Sequence, residues 1–320
     1  MDIFLNILFN VSLFVLLMIP GAILGRTKRL SERSIDQVGN ILSDVAMPAL
    51  VFSKLMQTDP NQITLTYVCL ALALSVGIII SIFIISKYIF HFNEDRKILC
   101  RFCSTFSNCG FLGIPLAAAI LPDHPQVVVY VSLFNIVNSL FILTLGTDML
   151  EKTKKGFCIK RFFKILIRPI TISVLLGFIC SYLGIGGMIP RLTEYFTTLA
   201  SLTTPLSMLA LGLQLTLISK KDLLDIKGMA SVSAVKLLLC PIFSFILLII
   251  LNAMGISIPS ELAYGVLIST AVPTAATAPA LAGAKGRNAS YTSALTVFNT
   301  ILCVITIPLI WCIYGTMFTI

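Results

Sequence analysis

The sequence predicts an all-α polytopic membrane protein with ten transmembrane helices, arranged as two inverted repeats of five helices. Hydrophobic residues make up 57% of the 320 positions and charged residues only 12%, against about 25% charged in a soluble domain. Mean hydropathy is +0.99. Apolar runs long enough to cross a bilayer, about 20 residues each, recur from one end of the chain to the other.

The apolar runs and the polar segments between them define the ten predicted spans. Their boundaries are 3–24, 36–56, 63–86, 98–121, 126–147, 165–185, 194–217, 229–251, 259–283 and 290–314.

The basic residues concentrate in alternate loops. Counting Lys and Arg, the 1–2, 3–4, 5–6, 7–8 and 9–10 loops hold 4, 4, 7, 3 and 2, which is 20 of the 23 in the chain. Because positive loops face the cytoplasm, we predict a multi-pass protein of the plasma or inner membrane with both termini outside. This distribution also explains the net charge of +9 without nucleic acid as a partner.

Residues 1–150 and 165–320 form the two predicted repeats, joined by a basic cytoplasmic linker at 151–164. Five spans is an odd number, so the second repeat must enter the membrane inverted, as in many secondary transporters. A sequence trace supports duplication: one motif recurs at an offset of 161, as Tyr130-x-Ser132-x5-Asn138 and Tyr291-x-Ser293-x5-Asn299.

Two spans are predicted to break near the bilayer midplane. Span 4 carries small polar residues, two glycines and a proline, and Asn108 lies about 15 Å into it at 1.5 Å per residue. Span 9 contains Pro273 about 18 Å deep. Broken segments at matching positions of inverted halves indicate a transport site. The alternative is proline kinks and small-residue packing seams.

The polar residues around these breaks are the candidate substrate site. Free N–H groups and positive dipole ends of broken helices favour an anion such as a carboxylate, and no arginine within a span is an obvious clamp for it. The asparagines of spans 5 and 10 could contact substrate or hold the scaffold. The candidates are Ser107, Asn108, Cys109, Gly110, Pro115, Asn138, Gln214, Pro273, Thr274, Thr277 and Asn299.

Two ionisable residues within spans are candidates for ion coupling, since such residues are costly in a membrane. Asp44 could bind a proton or cation, or it could cap the helix kink at Pro48 and pair with a neighbour. Lys236 could act on substrate, or its ammonium could snorkel to the cytoplasmic surface.

The sequence offers no catalytic group, metal site or cofactor site. No HExxH motif is present, and His91 and His124 fall on opposite sides of the membrane. The Cys100-x-x-Cys103 pair lacks the second ligand pair that a zinc site requires. An intramembrane enzyme is therefore disfavoured.

Three motifs, in this order along the chain, resemble the auxin efflux carrier family. They are Val45-Ala-Met-Pro48-Ala-Leu-Val-Phe52, Asn108-Cys-Gly-Phe-Leu-Gly-Ile-Pro115 and Ala271-Val-Pro273 followed by Pro279-Ala-Leu-Ala282. The family includes the plant PIN-FORMED auxin exporters and bacterial proteins labelled malate or organic-acid permeases. The resemblance implies helices 4 and 9 crossing at Asn108 and Pro273, a carboxylate at the crossing, and a homodimer with scaffold and transport domains.

The chain departs from the plant carriers at three places. Ser107 replaces their first crossing proline, span 3 lacks their charged pair, and the central loop is short. These departures favour a compact bacterial-type carrier. We therefore expect a secondary transporter of a small organic anion working by elevator-type alternating access. The alternatives are a cation-coupled symporter of a related ten-helix fold, similar to bile-acid symporters, and a membrane sensor or channel.

Overall fold

Helices account for the regular structure of the described residues. The computed structural model describes residues 2–30, 32–59, 63–151 and 167–318, so nearly all of the predicted linker at 151–164 lies outside them. In chain order the helices are α1 (Ile7–Arg26), α2 (Arg33–Met56), α3 (Leu65–Ile89), α4 (Glu94–Thr105), α5 (Cys109–Ile120), α6 (Pro125–Leu150), α7 (Pro169–Tyr182), α8 (Pro190–Gln214), α9 (Ile226–Ala253), α10 (Ser260–Ala271), α11 (Ala278–Ala284) and α12 (Ala289–Tyr314).

Seven of the described helices are long and apolar enough to cross a membrane, namely α1, α2, α3, α6, α8, α9 and α12. The prediction of a multi-pass, all-α protein is confirmed at this level. The predicted spans 4 and 9 each appear as two short helices, and span 6 is the 14-residue helix α7. The count of ten crossings and the inverted repeat stay predictions.

Contacts between loops divide the helix ends into two faces. At one face, which we call the basic face, Arg287 pairs with Asp95 at 2.5 Å and Lys285 pairs with Glu151 at 2.6 Å. At the opposite face, His124 lies 3.5 Å from Glu261. The loops that meet at each face are loops that the count of Lys and Arg assigns to the same side of the membrane. Which face meets the cytoplasm stays a prediction.

Glycines bring α1 and α8 into backbone contact. A Cβ atom built on Gly21 would collide with the carbonyl oxygen of Leu209, and one on Gly212 would collide with that of Met18. Small residues permit such close packing between membrane helices. Helix α2 packs in turn along α7, so α1, α2, α7 and α8 form one packed layer beside the broken helices.

Prolines explain three of the widened π-turns. The π-turns Leu42–Ala46, Cys109–Gly113 and Ala234–Leu239 each end two residues before a proline, namely Pro48, Pro115 and Pro241. Proline cannot donate to the carbonyl four residues earlier, and its ring clashes with that carbonyl. An extra residue in the preceding turn relieves the clash. All three turns carry candidate site residues, namely Asp44, Cys109 with Gly110, and Lys236.

Candidate functional site

The two broken helices meet through a short antiparallel pairing of main chains. The chain is extended at Phe106, between α4 and α5, and at Val272, where α10 ends. Ser107 forms a β-bridge with Thr274. The Asn108 N–H donates to the Pro273 carbonyl at 2.8 Å, and the Ala275 N–H donates to the Phe106 carbonyl at 3.0 Å. The predicted breaks and their crossing near Asn108 and Pro273 are present.

The pairing satisfies backbone groups that the breaks leave free. The last carbonyls of a helix have no partner within the helix. The Thr274 hydroxyl donates to the Cys103 carbonyl at 2.7 Å, and the Cys240 thiol lies 3.7 Å from the Ser104 carbonyl. Freed backbone is tolerated at membrane depth only when it is satisfied or lines a cavity. The crossing therefore needs its tertiary partners in order to form.

Asparagines from α6 and α12 each hold one residue of the bridge. The Asn138 side chain accepts from the Ser107 N–H at 3.2 Å and donates to the Ser107 carbonyl at 2.9 Å. The Asn299 amide donates to the Thr274 hydroxyl at 2.8 Å, while its oxygen accepts from the Ser233 hydroxyl. Both asparagines are buried. Their contacts in the structure are therefore those of a scaffold.

A cavity of about 850 Å³ extends from the crossing to the basic face. At its deep end it is lined by the crossing and by α6 and α8. Toward the basic face its walls come from the first turns of α2, the start of α7, the end of α11 and the start of α12. On the other side of the crossing, α10 is buried from Leu262 to Ala271. The cavity thus reaches the crossing from the basic face.

The candidate residues divide into those that line the cavity and those that do not. The structure places Cys109, Pro115, Pro273, Thr274, Asn299 and Lys236 away from the cavity surface, in contact with protein. It places these candidates on the surface: Asp44, Ser107, Asn108, Gly110, Asn138, Gln214 and Thr277.

Two side-chain atoms beside the cavity lack hydrogen-bond partners in the described part of the chain. These are the Asn108 amide nitrogen, a donor, and the Gln214 amide oxygen, an acceptor. Both residues are almost fully buried. Gln214 uses its own nitrogen to donate to the Ala276 carbonyl at 2.8 Å. Since buried polar atoms are normally bonded, each atom has capacity for a further partner, the Asn108 nitrogen for an acceptor and the Gln214 oxygen for a donor.

The comparison with protein families agrees with this geometry. A family model described as membrane transport protein matches residues 7–311. The chain belongs to this family, the auxin efflux carrier family. None of the curated proteins matches the chain significantly. The family resemblance drawn from the three motifs is confirmed, and the chain is a membrane transporter.

The sequence-based interpretation of this transporter missed a cation at the cavity. Arg168 lines the cavity, although the sequence pattern groups it with the basic loop and offers no arginine within a span as an obvious clamp for the anion. It directly precedes Pro169 at the start of α7. Proline is favoured in the first turn of a helix, so the Arg-Pro pair was the available signal that Arg168 lies at a helix end.

The structure contradicts the snorkelling alternative for Lys236. This residue is only 1% exposed. Its side-chain nitrogen contacts the Ser107 hydroxyl oxygen and lies 3.4 Å from the Thr270 carbonyl oxygen. The π-turn at Ala234–Leu239 lies along the crossing, so the side chain extends into the protein. Asp44, by contrast, is exposed at the cavity and accepts from the Ser43 hydroxyl at 3.2 Å.

Proposed function

We propose that this protein is a secondary transporter of a small organic anion, with a carboxylate as substrate. The observation that carries the proposal is the unpartnered Asn108 amide nitrogen beside the cavity at the helix crossing. A carboxylate oxygen is a suitable acceptor for it. The cavity volume of about 850 Å³ lies in the range typical of small-molecule sites.

The first turn of α5 supports an anion rather than a cation. The first N–H groups of a helix have no partner within it, and the dipole there is positive. Gly110 lies in this turn and lines the cavity, so no side chain of its own separates this part of the backbone from a ligand. Thr277 adds a hydroxyl. Asp36 and Asp44, the carboxylates of the described cavity wall, both lie on α2 and not on the crossing.

The proposed mechanism is elevator-type alternating access. The packed layer of α1, α2, α7 and α8 would form the scaffold, and the elements of the crossing would move along it with the substrate. The Gln214 bond to Ala276 joins the two parts and would break during movement. The described cavity would then be the cytoplasm-facing state of a plasma-membrane homodimer with ten spans, inverted halves and both termini outside.

A second candidate is a cation-coupled symporter of a related ten-helix fold. Its supporting observation is Asp44, an exposed carboxylate on the cavity wall. A carboxylate in a membrane cavity is a ligand type that a sodium ion or proton can use. Uptake that requires sodium on one side, and that loses this requirement in Asp44→Asn, would favour the symporter over the uncoupled carrier.

Uptake by the Asn108→Ala variant tests the proposed function. Lactate, pyruvate, succinate and malate are screened by thermal shift, because a ligand that binds the native state stabilises it. Radiolabelled uptake of each is then measured in proteoliposomes. We expect Asn108→Ala to lower uptake at least tenfold with an unchanged elution profile, since it removes a buried donor to an anion, worth about 1.5–3 kcal/mol.

Asn252→Ala is the matched control, because Asn252 lies exposed at the end of α9 away from the basic face. This control should transport as the parent protein does. Full uptake by Asn108→Ala would contradict the assignment of the crossing as the substrate site.

A further inference from the structure

Lys236 is a buried basic group for which the described part of the chain supplies no counterion. Its side chain is 1% exposed, and its nitrogen contacts the Ser107 hydroxyl and the Thr270 carbonyl. Within the described ranges, no carboxylate lies at ion-pair distance from it. Burying a charge is costly unless the charge is paired and hydrogen-bonded.

The groups that face Lys236 are otherwise neutral. Cys240 on its own helix and Cys109 at the start of α5 are the titratable groups nearest to it. Helix α12 has no charged residue. The carboxylate of α10, Glu261, lies in its first turn beside His124. The charged residues of α4 lie between Glu94 and Arg101, toward the basic face and away from its end at the crossing.

The two contacts of Lys236 suit the neutral amine. A neutral primary amine has two N–H donors, and the structure supplies two acceptors, the Ser107 hydroxyl and the Thr270 carbonyl. An ammonium has three donors, so protonation adds one N–H and a full positive charge. The structure thus supplies one acceptor fewer than an ammonium can use, so negative charge nearby would favour the protonated form.

Ser107 connects Lys236 to the cavity. It lines the cavity, and its hydroxyl oxygen contacts the lysine nitrogen. A carboxylate bound to Ser107 would lie two hydrogen bonds away from that nitrogen, about 5–6 Å. At this distance in a protein interior, opposite charges stabilise each other substantially. Anion binding and protonation of Lys236 must then favour each other, because linkage is reciprocal.

We propose that Lys236 carries a proton together with the transported carboxylate. When the anion binds, the lone pair of the lysine nitrogen forms an N–H bond with a proton from a hydronium ion of the cavity water, whose O–H bond breaks to leave a water molecule. When the anion leaves on the other side, that N–H bond breaks and the proton returns to water. Lys236, Ser107 and Thr270 all belong to α9 or the crossing, so the proton would travel with the substrate. This inference rests on the proposed function and names its coupling ion.

Coupling to one proton has two measurable consequences. Apparent affinity for the anion should rise by up to about tenfold for each unit by which pH falls, the limit for one linked proton. Transport of a monocarboxylate should be electroneutral, because the anion and the proton move together. A lysine that stayed charged throughout would give neither effect, and transport would carry net negative charge.

The experiment measures radiolabelled lactate and succinate uptake together with internal pH, reported by pyranine trapped in the proteoliposomes. Protein-free liposomes correct for diffusion of undissociated acid. We expect one proton to enter with each substrate molecule in the parent protein. We expect the Lys236→Met variant to lose proton entry and at least nine-tenths of its substrate uptake. We expect the Lys236→Arg variant to keep some uptake, but this uptake should not depend on pH and should bring no proton with it.

Lys227→Met is the matched control, because Lys227 lies exposed in the first turn of α9 and should behave as the parent does. Size-exclusion elution confirms that each variant is folded. Uptake by the parent without proton entry, or proton-coupled uptake by Lys236→Met, would overturn the inference while leaving the transporter assignment intact. Absence of uptake for every carboxylate would instead overturn the proposed function.

Discussion

At the scale of single residues, the crossing depends on side chains that replace missing backbone partners. Asn138 bonds both the N–H and the carbonyl of Ser107, as a neighbouring strand would. Asn299 does not copy this arrangement, since it bonds the Thr274 hydroxyl instead. The two asparagines match in sequence at the offset of 161, yet they hold the chain through different atoms.

The double contact of Asn138 leads to a stability prediction. Asn138→Ala should lower the free energy of unfolding by about 2–6 kcal/mol, because two buried backbone groups of Ser107 lose their partners, at about 1–3 kcal/mol each. Thermal unfolding in detergent, followed by size-exclusion chromatography, measures the loss.

Asn135→Ala is the matched control for this measurement, because Asn135 lies one turn earlier on α6 and lines the cavity. Its melting temperature should fall less. Equal losses for the two variants would show that the Ser107 contacts contribute little to stability.

At the scale of elements, the contact between α1 and α8 depends on glycine. Gly212→Ala should destabilise the protein by about 1–3 kcal/mol, the usual cost of overpacking, because its methyl group would collide with the Met18 carbonyl. The temperature at which half of the monodisperse protein is lost measures the effect.

Gly77→Ala is the control for this prediction, because it should not destabilise the protein. A Cβ atom on Gly77, in the middle of α3, meets nothing within 4 Å. Alanine is the better helix former by up to about 1 kcal/mol, so this variant should be as stable as the parent or slightly more so. A Gly212→Ala protein as stable as Gly77→Ala would contradict the close backbone contact of α1 with α8.

At the scale of the whole molecule, the cavity and the loop charges predict which residues each side of the membrane can reach. Asp36 lies exposed at the mouth of the cavity, and Glu194 lies exposed in the first turns of α8. With the nine native cysteines replaced, Asp36→Cys should react with an impermeant maleimide only in inverted vesicles. Glu194→Cys should react only in right-side-out vesicles.

The pattern of labelling separates two errors. If Asp36→Cys reacted only in right-side-out vesicles and Glu194→Cys only in inverted vesicles, the proposed orientation would be reversed, but the two residues would still lie on opposite faces. Reaction of both cysteines from one side would contradict the separation of the faces that the Arg287–Asp95 and His124–Glu261 contacts indicate.

The sequence alone determined the class of the protein, its family and the places where two helices break. These follow from local chemistry. The length of apolar runs decides that a segment suits a membrane, and Pro273 lacks the N–H that a continuous helix needs. The glycines and polar residues around Asn108 likewise disfavour a continuous helix through local effects, so the helix breaks where the sequence pattern predicts.

Only the tertiary structure decided which side chains face the cavity. Thr277 lines it, while Thr274, three residues earlier, bonds the Cys103 carbonyl on the far side of the bridge. The direction of each side chain follows from how Ser107 pairs with Thr274. These two residues belong to segments that lie far apart in the chain. The crossing also buries Lys236, and the packing of α7 places Arg168 at the cavity. Backbone preferences act over a few residues, whereas the environment of a side chain depends on every element packed around it.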